Sequence, residues 1–273
     1  MTIHKIEPHH AEQFQKQGYL YPVNVLSAAE AAGYRGKLEA HEAEHGTLAG
    51  AQRHNSHLLF TWVDQLMRHP VLLDAVQALI GPNILVRGSS FFIKEARDQR
   101  FVSWHQDATY WGLSPLEVVT AWVALSGSTQ ENGAMQVVPG THLEKQIPHV
   151  ETFSSDNMLS RGQEVAVKVD PAKAVMLELQ PGQMSLHHVL LIHGSEPNPS
   201  GQRRIGLAIR YMPTHVRQAG ANPDAVSLVR GTDTFGHFPH APAPQFDLAP
   251  EALEIHAQSM SRLSAQSDAI AQA

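Results

Sequence analysis

Two textures divide the chain. Up to about residue 80 the pattern of apolar positions reads as helical, and from residue 84 short runs of Val, Ile and Phe are broken by Gly, Pro and Asn clusters. Ser27-Ala-Ala-Glu30 has the form of a capping box, opening a polar, Ala- and Glu-rich helix that extends to about His45. Pro70 at a first-turn position starts another helix through Ile80, which Gly81-Pro82 stops. Strands are predicted at 84–94, 101–105, 117–126, 134–138, 164–169, 174–179, 183–192 and 203–212. Eight strands suit a double-stranded β-helix, that is, a cupin-like jelly roll inside a helical wrapper. Residues 140–163, with Pro148 and Ser154-Ser155-Asp156, read as a long loop or lid, and the tail from about 250 returns to helical patterning.

One domain is expected over 1–273, since 273 residues at 42% hydrophobic content can bury a single large core. Its expected parts are a helical wrapper at 1–83, a jelly-roll core at 84–215, and a pocket segment with a helix at 216–273. The absence of cysteine excludes disulfides, thiolate zinc sites, iron–sulfur clusters and cysteine nucleophiles, so a bound metal must take nitrogen and oxygen ligands. A net charge of -6 with scattered Lys and Arg offers no footprint for nucleic acid or an anionic membrane. The opening, Met1 to His10, lacks the apolar core of a secretion signal, and a cytoplasmic location is expected. Oligomeric state is not legible.

The chemistry begins with histidine. Eighteen histidines and 26 acids over 273 positions give about 1.7 His-x-acid pairs by chance, and four occur, His10/Glu12, His105/Asp107, His142/Glu144 and His149/Glu151. The pair at 105 follows a predicted strand and sits among aromatics, in Phe101-Val-Ser-Trp-His-Gln-Asp-Ala-Thr-Tyr-Trp111. Residues i and i+2 of extended chain point the same way, so His105 and Asp107 can offer a nitrogen and an oxygen to one ion. A rival motif, His41-Glu-Ala-Glu-His45, matches the His-Glu-x-x-His spacing of zinc hydrolases, although Gly46 ends that helix at once.

A third ligand is sought in Gln183 to Arg210, where His187, His188 and His193 compete. If Glu196 to Gly201 forms a hairpin turn centred between Asn198 and Pro199, His193 and Arg204 fall opposite each other with Cβ atoms roughly 5 Å apart. A guanidinium there suits a carboxylate, to which it donates two parallel hydrogen bonds. Two histidines and one carboxylate leave three open positions on iron(II), enough for a bidentate 2-oxo acid and dioxygen.

Together, Trp104-His-Gln-Asp107, Thr120-Ala-Trp122, Glu131-Asn-Gly-Ala-Met-Gln-Val-Val-Pro-Gly-Thr-His142 and Leu190-Leu-Ile-His-Gly-Ser195, with Arg204 eleven residues after His193, resemble the phytanoyl-CoA dioxygenase family over about residues 15 to 240. The resemblance implies iron(II) held by His105, Asp107 and His193, with 2-oxoglutarate and dioxygen as co-substrates. Arg204 would anchor the C5 carboxylate of 2-oxoglutarate, and Ser195, Gln106 and Trp122 would line its pocket. The implied reaction is hydroxylation coupled to oxidative decarboxylation of 2-oxoglutarate to succinate and CO2. Related halogenases have Ala or Gly in place of the carboxylate ligand, so Asp107 argues against halogenation.

The primary substrate is expected to be a small molecule, anionic or zwitterionic, with no sign of a coenzyme A site. Phe91, Tyr110, Arg87, Arg210 and Arg217 are candidate contacts, along with the 140–163 loop and the stretch Leu228 to Phe238. Other readings are a desaturase, epoxidase or halogenase on the same fold, a non-catalytic jelly-roll binding protein, and a zinc hydrolase through His41 and His45.

Overall fold

The computed structural model describes residues 2–48, 50–220 and 223–271, apart from the side chains of Tyr110 and 266–271. The chain runs from α1 (Pro8–Gln17) through Gly18 into β1 (Tyr19–Asn24), then α2 (Ala28–His45), α3 (Thr61–Met67) and α4 (Pro70–Ile80). There follow β2 (Ile84–Lys94), β3 (Val102–His105), β4 (Leu113–Ser114), β5 (Val119–Ala124), β6 (Met135–Val137), β7 (His149–Glu151) and β8 (Gln163–Val165). The last elements are β9 (Val175–Leu177), β10 (Gln183–His188), β11 (His193–Ser195), β12 (Arg204–Pro213), β13 (Arg217–Gln218), β14 (Ser227–Arg230) and α5 (Pro250–Ala271).

A six-stranded sheet in the order β1-β10-β5-β12-β2-β14 faces a four-stranded sheet in the order β3-β11-β6-β9, which is the expected jelly roll. Cross-strand register fixes what each face carries. On the inner face of the large sheet Arg204 lies opposite Lys94, Gly206 opposite Phe92 and Ala208 opposite both Ser90 and Trp122. Farther along, Thr120 stands between Arg210 and His187. Between the sheets Trp122, Ala124 and Ala208 pack against Met135, Val137 and Leu177. The alternate residues Ala121, Val123, Leu207 and Ile209 point outward and join Val63, Leu66, Leu72 and Val76 of α3 and α4. Each fully buried aliphatic chain there contributes about 1.5–3 kcal/mol, which fixes the large sheet as a rigid floor.

The two helices read from the pattern form as expected. Ser27 Oγ accepts from Glu30 N at 3.2 Å while Glu30 Oε2 accepts from Ser27 N at 2.8 Å, and Gly81 closes α4 at a φ of 87°. Three readings need correction. The first 80 residues are not wholly helical, because Tyr19-Leu-Tyr-Pro-Val-Asn24, rich in aromatic and β-branched residues, pairs with β10. The expected strand 183–192 ends at His188, since Leu191 N bonds back to His188 O at 2.9 Å and turns the chain from the large sheet into β11 of the small one. The 140–163 loop contains β7, paired with β8 as a small hairpin.

Candidate metal centre

β3 ends at His105, and the next residues curl into a short 3-10 turn starting at Asp107. The imidazole Nδ1 of His105 is 2.9 Å from Ser103 O, and Nδ1 of His193 is 3.0 Å from Leu191 O. Carbonyls accept, so each Nδ1 carries a proton and each Nε2 is the nitrogen turned toward Asp107, where it can serve as a metal ligand. His105 Nε2 lies 3.5 Å and His193 Nε2 4.0 Å from Asp107 Oδ1. His105 and His193 are directly paired across β3 and β11. Potential ligand atoms of the three residues fall within 4.8 Å of one another, the one such cluster of three or more among the described residues.

Electrostatics suits a cation. Burial alone would raise the Asp107 carboxyl, but the imidazoles of His105 and His187, with the fields of His193 and Arg210, hold it well below the usual carboxylate range. Burial, together with the neighbouring His105 and His187, pushes His193 well down, so it stays neutral. Two imidazole nitrogens and one ionised oxygen, with no thiolate, form a donor set that fits iron(II) and leaves coordination positions open. Thr120, not assigned a role from sequence, donates from Oγ1 to Asp107 Oδ2 at 3.1 Å and orients the carboxylate.

Of the competing histidines, His188 points away and packs near Phe14 and His142. His187 points inward, with Nε2 3.8 Å from Asp107 Oδ2, and both its ring nitrogens are buried without a hydrogen bond. The other His-x-acid pairs are tied to the protein itself. His142 Nε2 meets Gln15 O at 2.9 Å, Glu151 pairs with Arg161, and His10 Nδ1 receives Glu7 N. In the zinc-type motif Arg203 donates twice to Glu42, at 2.7 and 2.8 Å, so that glutamate is not poised over His41 and His45 as a base.

Arg204 does reach the same pocket as His193, but not by a hairpin. β11 belongs to the small sheet and β12 to the large one, so the two residues face each other across the interior. The Arg204 guanidinium is buried, donates to Gly133 O, and lies 5.4 Å from the Trp122 ring, while its Nε has no partner. Burial lowers its pKa to about 10, which leaves it charged at neutral pH. Lys94, directly across the strand pair, donates from Nζ to Ser195 Oγ at 2.7 Å. Neither Lys94 nor the Ser195 contact was legible, because a lysine in an apolar strand carries no local signal of its partner.

Two site expectations are corrected by the alternation that paired His105 with Asp107. Gln106 lies on the opposite side, donating from Nε2 to Leu190 O at 2.8 Å and accepting Ile147 N on Oε1 at 2.8 Å. It ties the lid to the metal strand and does not line the pocket. Phe91 faces the outer core against Trp62, and its neighbour Phe92 lines the pocket instead. Arg217 lies exposed on β13, and Leu228 and Phe238 belong to a separate apolar cluster rather than the cavity. Tyr110's side chain lies outside the described residues.

Above the metal site opens a cavity of about 470 Å³, within the roughly 300–1,000 Å³ of small-molecule sites. Arg87, Arg210, Trp111 and His54 line it, as do Phe153, Met158 and Arg161 of the lid, and Met260 and Leu263 of α5. No helix among the described residues is long and apolar enough to cross a membrane.

Comparison with known proteins agrees with this architecture. The sequence profile of the family described as Phytanoyl-CoA dioxygenase (PhyH) matches residues 14–206. A probable alpha-ketoglutarate-dependent hypophosphite dioxygenase of Stutzerimonas stutzeri is 33% identical over 58% of this chain and 55% of its own. A probable phytanoyl-CoA dioxygenase of Caenorhabditis elegans is 27% identical over 71% of this chain and 59% of its own, so the chain spans little more than half the length of these relatives. Among solved structures, the non-heme monooxygenase ThoJ superposes with a TM-score of 0.84 at 36% identity, covering 96% of this chain and 98% of its own. CytC3, solved with Fe(II) and alpha-ketoglutarate, shares the fold at 22% identity and a TM-score of 0.67, covering 90% of this chain and 97% of its own. The chain belongs to the phytanoyl-CoA dioxygenase family.

Proposed function

We propose that the protein is an iron(II)- and 2-oxoglutarate-dependent dioxygenase that hydroxylates a small molecule held in the 470 Å³ cavity. The observation that carries this reading is the placement of a His-Asp-His cluster and a buried, incompletely bonded arginine on opposite walls of one pocket. His105, Asp107 and His193 would hold the metal, with Thr120 fixing the carboxylate. Arg204 would take the far carboxylate of 2-oxoglutarate through its free Nε and remaining amino protons. Ser195, whose hydroxyl oxygen already accepts from Lys94, has its own proton free to donate to the same carboxylate. Trp122 closes that end of the pocket and excludes water. When bound, the iron and 2-oxoglutarate supply the oxidising power, with decarboxylation to succinate and CO2.

Asp107 occupies the position that a halide would need, which favours hydroxylation over halogenation. Hypophosphite, a small oxyanion, is named for one relative, and arginines line the cavity here, so an anionic or zwitterionic substrate is the reading carried forward.

Succinate release in air tests the proposal. Wild type should form succinate from 2-oxoglutarate in an iron(II)-dependent way, even without substrate. Arg204→Met should raise the KM for 2-oxoglutarate about 10–100-fold, the loss of a charge-assisted bidentate contact. Succinate formation that ignores added iron, or an unchanged KM in that variant, would reject this assignment.

A further inference from the structure

The large cavity contains a positive charge that the protein itself does not answer. Arg210 leaves β12 on the inner face and lines both the metal pocket and the cavity. One terminal amino group donates to Ser90 Oγ at 2.8 Å, and Nε is buried without a partner. Its arginine neighbours differ. Arg87 donates to Asp224 at 3.0 Å, and Arg161 donates to Glu151 at 2.9 Å. Among the described residues, Asp107 is the anion that bears on Arg210, Arg87 is a like charge, and the Asp107 carboxylate is already surrounded by His105, His187 and His193.

Charge counting sharpens the point. An iron(II) ion, the Asp107 carboxylate and the 2-oxoglutarate dianion together leave one negative charge, which Arg204 balances, while burial lowers Lys94 to about 6 and leaves it mostly uncharged at neutral pH. Arg210 is then in excess, inside a site where an unpaired charge is costly. Arg204 and Arg210 are six residues apart on an extended strand, roughly 20 Å between Cα atoms, so they serve opposite ends of the interior.

We propose that Arg210, with Ser90 and His54, forms an oxyanion subsite for the primary substrate, which therefore carries a carboxylate or a phosphorus oxyanion beside the metal centre. This rests on the oxygenase reading above. His54 Nδ1 lies 3.1 Å from Ser90 Oγ, so the hydroxyl connects imidazole and guanidinium. Burial holds His54 down to about 4, and it is neutral at physiological pH, leaving Arg210 as the charged member. Phe92 and Trp111 flank the guanidinium at 6.0 and 5.9 Å and limit the approach of water.

The test titrates acetate, hypophosphite and methylphosphonate, with acetamide as the uncharged control, into the protein with and without iron(II) and 2-oxoglutarate under anaerobic conditions. Tryptophan fluorescence reports binding, because Trp111 borders the subsite. The oxyanions should bind in preference to acetamide, and Arg210→Met should weaken them by about tenfold or more while the 2-oxoglutarate dissociation constant moves by less than about threefold. Arg210→Lys should keep part of the affinity, and Ser90→Ala should lose a smaller share. Equal binding of acetamide and acetate, no oxyanion binding by wild type at tens of millimolar, or unchanged affinity in Arg210→Met would each overturn the proposal. A loss of 2-oxoglutarate affinity in Arg210→Met as large as that for the oxyanions would also overturn it, assigning the arginine to the co-substrate. Failure of wild type to bind 2-oxoglutarate at all would instead strike the oxygenase reading, and the titration without co-substrate would still decide the subsite.

Discussion

At the scale of single residues the centre depends on orientation as much as on ligand identity. Backbone carbonyls set both histidine tautomers, and Thr120 sets the carboxylate. Thr120→Val keeps the shape and removes the hydrogen bond, and iron(II) affinity should fall about 10-fold, as measured by competition with a chelating dye. An unchanged affinity would mean that the carboxylate is held by packing alone. Gly206 is a packing requirement of another kind, since a Cβ there would collide with the Trp122 indole. Gly206→Ala should cost about 1–3 kcal/mol in chemical denaturation and displace the ring from Arg204. A neutral effect would show that the indole can move freely.

Among elements, alternation explains both what the sequence could tell and where reading it failed. It placed His105 and Asp107 together, and applied strictly it would have turned Gln106 away and chosen Phe92 over Phe91. The hairpin reading brings His193 and Arg204 together correctly but by the wrong connection, since they sit on different sheets and meet across one pocket. A hairpin is the shortest connection, yet eight residues between β11 and β12 are enough to cross from one sheet to the other. No local signal distinguishes these cases, because sheet membership is decided by pairing with β2, β3, β5 and β6, far away in sequence. Gln106 gives this scale its own test. Gln106→Ala cuts the ties to Ile147 and Leu190, so hydrogen exchange over 145–165 should quicken while 2-oxoglutarate affinity stays within about twofold. A large loss of that affinity with an unchanged lid would restore the co-substrate role that resemblance had assigned to Gln106.

Over the whole molecule, buried histidines couple stability to acid. Burial lowers His57 to about 3 and His54 and His188 to about 4. In the unfolded chain each would titrate near 6.5, so between that value and about 4 the unfolded state binds more protons than the native state. Their stabilising contribution is complete above pH 6.5 and declines as pH falls through this window, by up to about 1.4 kcal/mol per pH unit for each residue. The melting temperature of the metal-free protein should therefore be flat above pH 7 and drop steeply toward pH 4, and His57→Asn should shallow that slope. A melting temperature independent of pH over this range would show that these rings are protonated without unfolding.

The central claim is that one pocket binds iron(II) and 2-oxoglutarate together, through His105, Asp107 and His193 on one wall and Arg204 on the other. Anaerobic titration of iron(II) and 2-oxoglutarate, followed by visible absorption, tests it most directly. A weak metal-to-ligand charge-transfer band saturating at one iron per chain is expected for wild type, with no band for His193→Ala. No band in wild type, or the same band in His193→Ala, would contradict the account.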